Sequence, residues 1–114
     1  MAVYNISINQ GESYNLDATL ISSSGTRVNL SGYDLRGQVR YSYGSTGILL
    51  NLAPTITNDI SGAININLTA EETASLPTTV AVYDIESFPS GQDVPNVVSR
   101  VLNGLFSISP EVTR

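Results

Sequence analysis

The side chains of this chain that could perform acid–base chemistry are carboxylates, because its 114 residues include no histidine, cysteine or lysine. That composition excludes Ser–His–Asp triads, thiol nucleophiles, Schiff bases and histidine-ligated metals. Two carboxylates can still hydrolyse a glycoside when a cleft raises the pKa of one of them. The closest pairs are Glu71 with Glu72, in the first turn of a predicted helix, and Asp84 with Glu86, on the outward face of a predicted strand. Both are better explained as solvated groups, the first also suited to the helix dipole, so we predict that the protein is not an enzyme.

The turn at 58–62 contains oxygen ligands of the kind that a calcium ion prefers. Asn58 and Asp59 precede Ser61 and Gly62, which resembles half of a calcium-binding loop. The repeated Asp/Asn ladder and the closing bidentate Glu of such loops are missing. We therefore interpret the segment as an ordinary turn and expect neither a metal nor any other cofactor.

Three tyrosines are the candidate surface platform for a ligand. Tyr33, Tyr41 and Tyr43 cluster around one predicted strand. Aromatic rings with solvated hydroxyls suit stacking against a sugar or contact with another protein, but they more often pack in a core. The tyrosines thus support a carbohydrate-binding module as one reading and ordinary core packing as the other.

Apolar and polar residues alternate with a period of two through almost the whole chain, which predicts strands. The expected strands cover residues 3–8, 13–21, 34–43, 48–52, 55–57, 63–68, 80–87 and 97–108. One short helix is expected to begin after Thr69, where Glu72 completes the spacing of a capping box. Pro77 ends it within two turns, so we expect this fragment to cross one end of the fold.

The alternation also predicts which side chains face inward. Gly37 lies on an inward face and indicates either a bulge or a close backbone approach. The inward parity changes between Val101 and Leu102, so we expect a β-bulge near 103–104. The expected inward residues are Tyr4, Ile6, Ile8, Tyr14, Leu16, Ala18, Leu20, Leu35, Val39, Tyr41, Ile64, Ile66, Leu68, Ala81, Tyr83 and Ile85.

Seven or eight short strands, with turn signals about every 8–12 residues, are typical of a β-sandwich or a small barrel. We predict an all-β fold, an antiparallel Ig-like β-sandwich with one short helical turn. No change of composition divides the chain, so residues 1–114 are expected to form a single domain. Residues 109–114 are expected to be an extended C-terminal tail.

The expected surface is rich in uncharged polar groups. Outward strand positions are mostly Asn, Ser, Thr and Gln, and no lysine protects a sheet edge. Charged residues are depleted at the centres of protein interfaces, so this surface favours a subunit that binds other proteins and copies of itself. We expect the contacts in the loop at 88–96 and in the tail, with candidate residues Phe88, Pro89, Val94, Pro95, Pro110, Val112 and Arg114.

Charge and hydropathy bear on the other classes of partner. The net charge is −5 and the five basic residues are scattered arginines, which does not make the basic stripe that follows nucleic-acid phosphates. The N-terminus lacks the features of a secretory signal, and no apolar run approaches the roughly 20 residues of a membrane helix. We expect synthesis in the cytoplasm, with neither nucleic acid nor a membrane as a partner.

Three blocks of sequence stand out. They read NQGE then YNLDATL in 9–20, VNLSGY then LRGQVR in 28–40, and GAININLTAEET in 62–73, the last followed by VYDIE in 82–86 and RVLNGLFSISPEVTR in 100–114. Together they resemble small virion proteins of tailed bacteriophages and the N-terminal domains of phage baseplate upper proteins. In baseplate upper proteins further domains follow such a domain. Because this sequence stops at Arg114, we expect a freestanding, multicopy unit.

The resemblance implies a non-enzymatic structural component of a phage virion, assembled in the host cytoplasm. Several copies would join other virion proteins in the tail, baseplate or neck. A capsid decoration protein is the alternative of the same kind. A carbohydrate-binding module used in host attachment is the second alternative.

Overall fold

The computed structural model describes residues 2–21, 24–91 and 98–110, and this part of the chain is mostly β. The all-β prediction is confirmed, and the short helix lies where it was predicted. The described elements are β1 (Ala2–Val3), β2 (Ile6–Asn9), β3 (Tyr14–Thr19), β4 (Tyr33–Arg40), β5 (Leu50–Asn51), β6 (Thr55–Asn58), β7 (Ala63–Leu68), α1 (Ala70–Ala74), β8 (Val80–Pro89) and β9 (Ser99–Ser109).

The strands form two sheets. The larger has the order β1-β9-β8-β4-β5, with β2 also paired to β9, and the smaller has the order β3-β7-β6. The pairs are antiparallel except that β1 and β2 run parallel to β9, so a wholly antiparallel arrangement was a wrong prediction at this edge. A parallel partner requires a long crossover, and here nearly the whole chain lies between the paired strands.

The inward faces of both sheets share one hydrophobic core. Ile64, Ile66 and Leu68 of the smaller sheet are each 1% exposed, and so is Tyr83 of the larger sheet. These are the residues that the alternation predicted, because a strand with one wet face buries every second side chain. Tyr41 is an exception: it is 53% exposed, because β4 ends one residue before it.

Gly37 marks a close approach and not a bulge. It keeps regular pairing with Ile85 across β4 and β8. A Cβ placed on it would lie 3.0 Å from the Asp84 carbonyl oxygen and 3.4 Å from the Leu52 Cβ. The space that a side chain would need is therefore already filled from both directions.

The first predicted strand is interrupted at Tyr4 and Asn5, which separate β1 from β2. The Tyr4 N–H donates to the Asn103 carbonyl (2.9 Å), and the Asn5 side-chain oxygen accepts from the Leu105 N–H (3.1 Å). A Cβ on Gly104 would lie 2.2 Å from the Tyr4 carbonyl oxygen. The turn in the N-terminal segment therefore requires glycine at position 104. The same turn leaves the Tyr4 side chain 47% exposed, so its predicted inward position was wrong.

Tyr83 supports the same turn from within the core. Its hydroxyl donates to the Tyr4 carbonyl, and its ring meets Phe106 edge to face, with centroids 6.2 Å apart. Burial, with smaller contributions from Tyr14 and Tyr4, raises the pKa of Tyr83 well above its ordinary value. The hydroxyl therefore keeps the proton that it donates.

The helix α1 carries the chain from the smaller sheet to the larger, as predicted. The Thr69 hydroxyl accepts from the Glu72 N–H (3.1 Å), and the Glu72 carboxylate accepts from the Thr69 N–H (3.0 Å). This is the reciprocal capping box, which satisfies two backbone donors at the helix start. Thr73 is fully buried, and its hydroxyl donates to the Glu12 carbonyl (3.0 Å), which ties the helix to the turn before β3.

Gly104→Ala is expected to lower the free energy of unfolding by about 2 kcal/mol or more, because the added methyl group must displace the Tyr4 carbonyl. Gly47→Ala is the matched control, since a Cβ there meets nothing within 4 Å. Urea unfolding followed by far-UV circular dichroism measures both. Equal unfolding midpoints for the two variants would contradict the tight contact.

Alkaline unfolding should report the buried tyrosines directly. With no lysine, cysteine or histidine in the chain, tyrosines are the side chains that titrate near pH 10. The folded-state pKa of Tyr83 is raised, and so is that of Tyr14. Their contribution to stability is therefore complete below the unfolded tyrosine pKa of about 10 and is lost as pH rises above it.

We expect the free energy of unfolding to fall between about pH 10 and pH 12, and to fall less steeply in Tyr83→Phe. Tyr43→Phe serves as the control, because Tyr43 is 63% exposed. Urea titrations at several alkaline pH values give the slope. An unchanged slope in Tyr83→Phe would rule out the buried hydroxyl as its source.

Candidate functional site

The outer face of the larger sheet concentrates the charged side chains of three adjacent strands. On β4, β8 and β9 the residues between the buried ones point away from the core. The register places Arg36 opposite Glu86, and Gln38 opposite Asp84, across β4 and β8. We call this surface the outer face; its central members are Arg36, Gln38, Arg40, Val82, Asp84, Glu86, Arg100, Asn103 and Leu105.

Two ion pairs cross the outer face. The Arg36 Nε lies 3.0 Å from a Glu86 carboxylate oxygen, and the Arg100 Nε lies 3.3 Å from an Asp84 oxygen. The Arg36 guanidinium also lies over the Phe88 ring, 5.2 Å from its centroid. These side chains are 28–50% exposed, so each pair contributes only about 0–1 kcal/mol. Their main effect is to orient the side chains.

A β-bulge on β9 brings Arg100 to this face. Ile85 pairs with Leu102, whereas the next residue, Glu86, pairs with Arg100, which leaves Val101 as the extra residue. The bulge lies two residues before the predicted position at 103–104, where Gly104 instead accommodates the N-terminal segment. Bulges re-aim side chains in this way, and here the consequence is the pairing of Arg100 with Asp84.

Arg40 ties the loop after β4 to the sheet. Its guanidinium donates to the carbonyls of Ser45 (2.8 Å) and Thr46 (3.1 Å) and to the Gln38 side-chain oxygen (2.9 Å). The loop thereby forms one wall of a shallow hollow of about 300 Å³, whose polar lining includes Gln38, Arg40, Tyr43, Asp84, Glu86 and Arg100. The hollow offers both donors and acceptors beside one exposed aromatic ring.

The outer face is electrically balanced. Arg36, Arg40 and Arg100 lie on it together with the carboxylates Asp34, Asp84 and Glu86. Elsewhere in the described residues five carboxylates accompany one arginine, Arg27, so the excess negative charge of this part of the chain lies away from the outer face. The outer face itself therefore adds no net charge that would repel a second protein.

Apolar side chains continue the outer face beyond the charged residues. Leu105 is 47% exposed and pairs with Val82, while Val80 is 61% exposed at the start of β8. Val3 is 71% exposed and pairs with Asn103. We call Val3, Val80, Val82 and Leu105 the apolar patch. Sequence reasoning missed it, because it depends on pairing between distant strands: the β8–β9 register places Val82 opposite Leu105, and the parallel docking of β1 onto β9 adds Val3.

The three candidate tyrosines do not form one platform. Tyr33 is the first residue of β4 and Tyr41 follows its last, a separation of about 26 Å along an extended strand. All three are exposed, but only Tyr43 borders the hollow beside Arg40 and Asp84. The three tyrosines therefore do not share one surface, and Tyr43 is the one of them that lies beside the hollow.

The predicted contact segments are only partly described. Phe88 and Pro89 are the last residues of β8, paired with Asp34 and Tyr33, so their placement in a loop was wrong. The strand extends because the Ser90 N–H still reaches the Gly32 carbonyl (2.9 Å). Pro110 is exposed directly after β9. Val94, Pro95, Val112 and Arg114 lie outside the described residues.

The other candidate groups make ordinary local contacts. Glu71 and Glu72 lie in the first turn of α1, where Glu72 belongs to the capping box. The side chains of Asn58 and Asp59 accept hydrogen bonds from the backbone of their own turn, at Ser61 and Ile60. Across residues 2–21, 24–91 and 98–110, no group of three acidic residues is placed to hold a metal ion. No helix in that part is long and apolar enough to cross a membrane.

Comparison with known proteins adds no relative to this description: no protein-family model matches the chain, and no curated protein matches it significantly.

Proposed function

We propose that the protein is a non-enzymatic structural component of a bacteriophage virion, a multicopy subunit of the tail, baseplate or neck. It would bind other virion proteins and copies of itself, and neither nucleic acid nor a membrane. The observation that carries the proposal is the outer face, where balanced charge lies beside the exposed apolar patch. Exposed apolar groups beside polar ones are typical of protein–protein contact surfaces.

We further propose that the fold is an Ig-like β-sandwich. Taking β3 to β9 as strands B, C, C′, D, E, F and G, the two sheets have the orders B-E-D and C′-C-F-G. These are the neighbours that strands have in variable-type Ig domains. The shared core between the sheets also favours a sandwich.

A capsid decoration protein is the first alternative, because a shell surface would require the same kind of contact face. A carbohydrate-binding module is the second, and the hollow at Tyr43 is the observation that favours it. Sugar sites combine an aromatic ring with planar groups that donate and accept hydrogen bonds. Arg40, Asp84 and Arg100 supply such groups around Tyr43.

Leu105→Asp is expected to reduce incorporation of the protein into phage particles about tenfold or more, because it places a charge at the centre of the proposed contact. Ile60→Asp is the matched control, since Ile60 is 71% exposed in the turn between β6 and β7. Quantitative gel staining of purified particles measures both variants. Equal incorporation of the two variants would contradict the proposal that the outer face is the contact surface.

The same gels give the copy number of the wild-type protein. On the order of a dozen copies favours the tail, and hundreds favour a capsid decoration protein.

A glycan array tests the carbohydrate alternative. For a purely structural subunit we expect no glycan to bind the purified protein above background. Binding that is lost in Tyr43→Ala and kept in Tyr33→Ala would instead favour the carbohydrate module, because only Tyr43 borders the hollow.

A further inference from the structure

We propose that β3 is a strand-pairing edge, and that its occupant is β3 of a second copy, running antiparallel across a two-fold axis. The inference deepens the proposed function, because it names one contact through which copies would join, and it rests on that function for its biological role. Four observations carry it: the other sheet edges, the burial of β3, the direction of its free backbone groups and its self-complementary side chains.

The other edges within the described residues carry features that hinder strand addition. The β1–β2 edge is broken at Tyr4 and Asn5, and β5 is only two residues long. On β6 the register shifts between Ile56 and Asn58, and Pro54 precedes the strand. Interruptions, short strands and bulges are known means of protecting sheet edges. In contrast, β3 keeps regular register over all six of its residues.

The inward side chains of β3 are incompletely covered. Tyr14, Leu16 and Ala18 are half-buried, whereas the neighbouring strand buries Ile64, Ile66 and Leu68 to 1% exposure each. The difference arises because, among the described strands, β3 is paired with β7 alone. An added strand with the same alternation would cover this apolar surface.

The free backbone groups of β3 point to its open side. Leu20 N–H donates to the Gly62 carbonyl of the β7 side (2.9 Å). In an antiparallel ladder the backbone N–H and C=O groups of every second residue point to the same side. The backbone groups of Tyr14, Leu16 and Ala18 therefore also point toward β7. The N–H and C=O groups of Asn15, Asp17 and Thr19 therefore face away from it.

A two-fold axis at Leu16 makes β3 complementary to itself. Leu16 then lies opposite Leu16 of the second copy, and Tyr14 lies opposite Ala18, a large side chain against a small one. Asn15 lies opposite Asp17, so an amide meets a carboxylate and the two Asp17 side chains stay apart. Within the chain the Asn65 amide already donates to the side-chain oxygens of Asn15 (2.9 Å) and Asp17 (2.8 Å). The Asn15 amide nitrogen remains available as a donor.

Sedimentation equilibrium of the full chain over about 10 µM to 1 mM, at about 0.15 M salt, tests this pairing. A single strand pair is a small interface, so we expect a monomer–dimer equilibrium near the upper end of that range. Slower hydrogen exchange at the Asn15, Asp17 and Thr19 amides with rising concentration is expected as well. A chain that is monomeric throughout would overturn the proposal.

Two charge variants test the register. Asn15→Asp puts like charges opposite Asp17 twice per dimer and should raise the dissociation constant about fivefold. Asn15→Lys puts opposite charges there and should lower it by a similar factor. A dimer on which both variants act in the same direction would overturn the register and with it the proposed axis.

Asp17→Pro removes one outward-pointing N–H while leaving the β3–β7 ladder its own donors. We expect it to abolish dimerisation, and circular dichroism verifies that the variant is folded. If Asp17→Pro unfolds, the two Asn15 variants still test whether β3 pairs in the proposed register. If β3 does not pair, but the chain still enters particles and Leu105→Asp still reduces that incorporation, this inference alone is overturned. Particles that exclude the wild-type chain overturn the proposed function alone.

Discussion

The close contact of the N-terminal segment with β9 is the constraint on which much of the structure depends. Gly104 lets the Tyr4 carbonyl approach the strand, the Tyr83 hydroxyl reaches that carbonyl from the core, and the Asn5 side chain completes the ladder at Leu105. The contact closes one edge of the larger sheet and holds β1 beside β9. It thereby places Val3 in the apolar patch and fixes the strand that carries Arg100 and Leu105.

Charge is unevenly distributed over the surface of the described residues. Arginines and carboxylates balance on the outer face, whereas carboxylates predominate over the rest of the described residues, and the net charge of the chain, −5, opposes unspecific association. The smaller sheet presents mainly amides and hydroxyls, with Asp17 as the carboxylate of β3. Two copies could therefore approach through β3, and other proteins through the outer face, without bringing like charges together.

The positions of strands and the direction of their side chains could be predicted from the sequence wherever one face of a strand is exposed to solvent. The bounds of β7, the half-buried face of β3 and the capping box of α1 agree with the alternation and spacing of their residues. The failures lie where tertiary contacts interrupt that pattern. Tyr4 turns outward because Gly104 admits its backbone, Tyr41 lies beyond the end of β4, and Phe88 and Pro89 continue β8 because Tyr33 and Asp34 pair with them.

The sequence by itself determined the all-β fold class, most of the core and a surface without histidine, cysteine or lysine, because these follow from local periodicity and composition. Only the tertiary structure decided that β1 and β2 lie parallel to β9, that the bulge is at Val101, and that Val3 lies beside Asn103 on the outer face. The reason is physical: register and partner choice depend on contacts between residues distant in the chain, such as Tyr4 with Gly104 and Arg100 with Asp84. The local periodicity of the sequence does not determine which distant residues come into contact.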